Sequence, residues 1–82
     1  MKIPITVLVA SLASAVYANT CRCTDAAGGS LPANTQKTCN DYRGSRLNDR
    51  QDNCFSAPGK YFPLEDWQKT CQKFGAPTGA CL

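Results

Sequence analysis

Pro63–Gly75 reads PLEDWQKTCQKFG, and the reading of this stretch decides the fold. Leu64, Trp67, Cys71 and Phe74 recur at steps of three, four and three. At about 100° per residue such a pattern makes one apolar stripe along a helix. Glu65 and Asp66 fall in the first turn and Lys69 and Lys73 later, the order the helix dipole favours. Glu65 and Lys69 also form an i, i+4 pair, and Gly75 supplies a stop. The chain's one Trp and one of its six Cys lie on the stripe. Trp67 is therefore expected in the core, and Cys71 is expected to bolt the helix to the rest.

The six Cys together set the scale of the fold. Cys21, Cys23, Cys39, Cys54, Cys71 and Cys81 follow the pattern C-x1-C-x15-C-x14-C-x16-C-x9-C. Ahead of them, residues 1–18 (MKIPITVLVASLASAVYA) carry one charge, Lys2, before a mostly apolar run. This is the pattern of a cleaved secretion signal, with Val16-Tyr17-Ala18 as the favoured cleavage site and Ala13-Ser14-Ala15 as a second. The apolar run falls short of the ~20 residues that a spanning helix needs, so no membrane anchor is expected. Taking 18 from 82 residues leaves 64, read as one disulfide-rich domain over 19–82. A domain of this size buries only ~60% of its unfolded surface and is marginal without staples. An even Cys count in a short secreted chain supplies them as bridges, each worth ~2–4 kcal/mol. The chain has no His and no second close Cys pair, so neither a metal site nor any other cofactor is expected.

The remaining elements follow from punctuation. Asn19–Asp25 reads as a strand with Cys21 and Cys23 on one face. Ala26–Gly29 reads as a turn, and Ser30–Ala33 as an edge strand confined there by Pro32. Asn34 is placed to cap a helix over Thr35–Arg43 that Gly44 ends. That helix repeats Gln-Lys-Thr-Cys (36–39 and 68–71) with Tyr42 matching Phe74. Both helices are expected to dock a Cys and a ring against a sheet. Asn53-Cys54-Phe55 is a further strand, Ala57-Pro58-Gly59 a turn, and residues 76–80 a tail without regular structure. The fold class is α+β: two short helices on a small antiparallel sheet. Cys21 and Cys23 are expected to pair with Cys39 and Cys71 in either order, leaving Cys54 with Cys81.

The chemistry points away from catalysis. Without His, Ser-His and Cys-His arrangements are excluded. Glu65 is the chain's one Glu, and oxidised Cys offer no thiolate. Removing Lys2 lowers the net charge from +3 to +2, too mild to argue for nucleic acid or membranes. Arg43, Arg46 and Arg50 cluster loosely, interleaved with Asp41, Asp49 and Asp52. The loops 45–52 and 56–61 lie between bridged elements, where a rigid scaffold carries binding residues. Arg46, Arg50 and Tyr61 are the expected partner contacts, because Arg and Tyr are over-represented at hot spots.

Cys21-x-Cys23-x-Asp25 with a Gly turn, a helix carrying Gln36-Lys37-Thr38-Cys39, the lone Cys54, the Trp67/Cys71/Gly75 helix and a near-terminal Cys81 together resemble one known group. They are similar to small secreted cysteine-rich proteins of filamentous fungi, including candidate effectors of plant pathogens. Members often carry Cys-Cys where this chain has Cys39-Asn40 and Cys71-Gln72. The resemblance implies an extracellular setting rather than a mechanism. The expected function is a secreted, monomeric, non-enzymatic binding protein, with an unidentified protein or glycan as partner. A defensin-like antimicrobial peptide or a small protease inhibitor is the alternative.

Overall fold

The computed structural model describes residues 16–82; residues 1–15, and with them most of the expected signal segment, lie outside the described residues. Eight elements follow one another: β1 (Tyr17–Ala18), β2 (Thr20–Thr24), α1 (Pro32–Asn40), β3 (Arg46–Leu47), β4 (Cys54–Phe55), β5 (Phe62–Pro63), α2 (Leu64–Lys73) and β6 (Thr78–Cys81). Four strands form an antiparallel sheet in the order β3-β4-β2-β6, and β1 pairs with β5 in a second sheet of two. With the two helices this is the expected small α+β domain.

Helix α2 forms where the stripe places it. Trp67 and Cys71 are buried, while Leu64 and Phe74 are half-buried at its two ends. It ends in a Schellman motif. Gly75 adopts φ 96°, the Gly75 N–H donates to Gln72 O (3.0 Å), and the Ala76 N–H donates to Cys71 O (3.0 Å). Ala76 folds back into the core as a result.

Helix α1 starts three residues earlier than its sequence suggests. Pro32 opens the helix rather than an edge strand, because its missing N–H costs nothing at the first helical position. Only Ser30 retains a bridge, to Thr24. Asn34, freed from capping, donates from Nδ2 to Phe74 O (2.7 Å) and ties α1 to the end of α2. β4 pairs with β2 only at Thr20 and Cys21; beyond that point α1 takes its place. The Cys23 N–H donates to Thr35 Oγ1 (2.8 Å), and Cys23 O accepts from the Leu31 N–H (3.0 Å).

The tail is not irregular. Thr78–Cys81 is a full strand along β2, with Cys81 directly opposite Cys21 and Gly79 opposite Cys23. That register overturns two of the expected bridges. The pairs are Cys21–Cys81, Cys23–Cys71 and Cys39–Cys54. Cys23–Cys71 joins sheet to α2 as expected. Cys21 instead crosslinks sideways to its strand neighbour, and Cys39 reaches from α1 to β4. All six Cys are bridged.

The core is built from those sulfurs and three rings. Trp67 lies 4.8 Å from Phe62 and 5.6 Å from Tyr42, centroid to centroid, and Tyr42 lies 4.9 Å from Phe62. Trp67 and Phe62 are buried, so they form no surface platform. The indole N–H donates to Arg22 O (3.0 Å). The Tyr42 hydroxyl donates to Asp66 Oδ2 (2.6 Å) and lies 3.2 Å from Thr70 Oγ1. Burial, with the Asp66 contact second, pushes its pKa up to about 12, so it remains a donor at neutral pH.

Gly79 lets β6 run under Trp67. A Cβ there would stand 2.7 Å from Trp67 Cδ1, 2.8 Å from Nε1 and 2.9 Å from Cys71 Sγ. Gly79→Ala is therefore expected to overpack the core at a cost of ~1–3 kcal/mol. Thermal unfolding checks it, since each kcal/mol lowers the midpoint of so small a domain by about 4–8 °C. An unmoved midpoint would show that the strand can slide away from the indole.

Candidate surface site

The residues expected to bind a partner come from two elements joined by the sheet. Arg46 is on β3, an edge strand, and is exposed. Tyr61 follows the turn between β4 and β5 and is 61% exposed. That turn has Pro58 and Gly59 at its centre, Gly59 at φ 78°, and is closed by the Lys60 N–H donating to Ala57 O (2.9 Å). Pro then Gly with positive φ is the composition of a type II turn. The Ser56 hydroxyl donates across it to Lys60 O (2.7 Å), and the Ser56 N–H donates to Asn19 O (3.0 Å). The turn is thus held at both ends, and Lys60 and Tyr61 are displayed from a fixed backbone.

Two hollows lie on either side of this turn and share it as a common wall. One, of about 340 Å³, is lined by Arg46, Phe55, Pro58, Lys60, Tyr61 and Asn19 among others. The other, of about 330 Å³, is lined by Arg43, Tyr42, Phe62, Lys60 and Tyr61 among others. The structure thus brings Arg46 and Tyr61 together at one hollow. It does not bring Arg50 there: that residue sits at the tip of the β3–β4 hairpin and lines neither hollow.

The hairpin also explains why the acids do not neutralise the site. Asn48 organises its tip, accepting at Oδ1 from the N–H groups of Asp52 and Asn53 (both 3.0 Å) and donating from Nδ2 to Asp52 Oδ1 (2.7 Å). Gln51 takes the left-handed φ of 61° in that turn. Asp41 is drawn the other way, to Lys73 Nζ at 3.5 Å. The second ion pair among the described residues, Lys69–Glu65 at 3.6 Å, lies on α2. Neither pair involves Arg43, Arg46 or Lys60, and no carboxylate lines either hollow. Lys60 and Arg43 thus join the site. Lys60 gave no signal in the sequence, being a single charge beside a Pro-Gly turn.

Among the described residues no group of His, Cys, Asp and Glu could hold a metal ion, and no helix is long and apolar enough to cross a membrane. The three bridges make this a small disulfide-stabilised protein of the extracellular type. No family model matches the chain, and no curated protein or solved structure matches it significantly.

Proposed function

We propose that this is a secreted, non-enzymatic, effector-like binding protein that presents the Ser56–Tyr61 turn to a carboxylate-bearing surface of another protein. One observation carries the reading: Arg43, Arg46 and Lys60 surround two adjoining hollows that no carboxylate lines. Such a surface attracts an acidic partner and disfavours a basic one. Phe55, Pro58 and Tyr61 add apolar and aromatic area between the cations, which suits a peptide bearing both acidic and apolar side chains. Two hydrogen bonds across the turn and one to Asn19 hold it in place, so little ordering entropy opposes binding.

A fluorescent peptide alternating Asp or Glu with Leu is the probe, with its Asn/Gln counterpart as control. The folded protein is expected to bind the acidic peptide and not the amide one, more weakly as salt rises. Arg46→Ala/Lys60→Ala/Tyr61→Ala should keep the wild-type thermal midpoint and lose about tenfold or more in affinity. Arg50→Ala should bind as wild type, because Arg50 does not line the hollows. Equal binding by the triple variant, or none by the wild type, overturns the site. Tighter binding of a sulfated glycan than of the peptide would transfer the site to glycans. Turnover of any substrate by pure protein would overturn the non-enzymatic reading.

A further inference from the structure

We infer that the secreted chain begins at Val16, cut after Ala13-Ser14-Ala15, and that Val16–Ala18 belong to the folded domain rather than to the leader. The inference rests on the secretion reading above and adds the site of processing. Both cleavage sequences are present, but the second has the small-x-small form in full, Ala at each end of Ser.

Three contacts give residues 16–18 a place. Tyr17 and Ala18 pair antiparallel with Pro63 and Phe62. Ala18 is 8% exposed and belongs to the same core cluster as Phe62, which is 2% exposed. Val16 O accepts the Leu64 N–H at 2.8 Å. This last contact matters most. Leu64 opens α2, and the residue before it, Pro63, offers no side-chain cap. The first N–H groups of a helix have no partner within it, and here the leader-proximal backbone supplies one. A cut after Ala18 would remove that acceptor, strip β5 of its partner strand and uncover the flank of Phe62. It would also leave a new ammonium on Asn19, at the rim of the cation-lined hollow. A cut before Val16 keeps all three contacts and leaves the ammonium on an exposed residue, Val16 at 48%.

The full chain, expressed in a secreting host, gives the answer by N-terminal sequencing and intact mass of the medium fraction. A start at Val16 is expected. A start at Asn19 overturns the inference and leaves the secretion reading standing; a chain retained in the cell with Met1 intact overturns both. In a second precursor residues 16–18 are deleted, so that a cut after Ala15 yields Asn19 directly. Its secreted product should carry three bridges and melt ~5 °C or more below the parent. An identical midpoint would show that the segment does not support the fold.

Discussion

Replacing Trp67 by Ala is expected to cost ~3–5 kcal/mol, the range for emptying a large buried aromatic site. A domain of this kind holds only ~5–15 kcal/mol in all, so much of the protein should unfold near body temperature even with every bridge intact. The indole contributes in three ways. It fills the space between Phe62 and Tyr42, it covers Gly79, and its N–H donates to Arg22 O in the inner strand β2. Trp67→Phe separates the third from the others. A smaller ring stays, Arg22 O loses the indole donor but keeps its ladder pairing with Ala80, and a loss of ~0.5–1.5 kcal/mol is expected for the hydrogen bond. Thermal and urea unfolding followed by circular dichroism would read both, with intact mass confirming six oxidised Cys. A Trp67→Ala midpoint within a degree or two of the parent would mean that the indole is not the centre of the core.

The second large effect is expected from Cys23→Ala/Cys71→Ala. This bridge closes a loop with a sequence separation of 48, while Cys39–Cys54 closes one of 15. Loop-closure entropy then assigns ~4 kcal/mol to the first and ~3 kcal/mol to the second. Position widens the gap. Both bridges are buried, but Cys23–Cys71 joins β2 to α2, and the Thr38 hydroxyl of α1 lies 3.2 Å from Cys23 Sγ. Removal of Cys23–Cys71 leaves a cavity where β2, α1 and α2 meet. Urea unfolding of the two double variants should rank Cys23/Cys71 as the more damaging loss. The reverse order would show that the short α1–β4 link, not the sheet-to-helix bolt, sets the stability.

Helix α2 was legible because its information is local: a stripe at helical spacing, acids first, Lys later, Gly75 last. The start of α1 is ambiguous in sequence because Pro32 suits an edge strand or a first helical residue, and the packing of Thr35 against Cys23 selects between them. Strand β6 was invisible for a different reason. Thr78-Gly79-Ala80 has no apolar alternation; it is a strand because β2 lies alongside it and Trp67 lies over Gly79. The pairing of Cys81, and with it the bridge pattern, depends on that strand. The surface site was half legible. Arg46 and Tyr61 meet because β3–β4 is a hairpin and the Pro58-Gly59 turn folds beside it, whereas Arg50, equally basic in sequence, is carried to the hairpin tip.

The position of β6 also dictates when this protein can fold. β2 is among the first described segments to be synthesised, and its hydrogen-bonded neighbour β6 is the last, Cys21 and Cys81 lying 60 residues apart. Gly79 lies against Trp67 and Cys81 completes the edge of the sheet, so a nascent chain that lacks β6 cannot bury the core. Native pairing must wait until β6 has been made, and until then the Cys that precede it are free to join wrong partners. Long-range closure of this kind is slow relative to local helix formation. Thiol–disulfide exchange is therefore the route by which early pairings are corrected, and a chain without β6 would be able to oxidise but not to settle on one set of bridges.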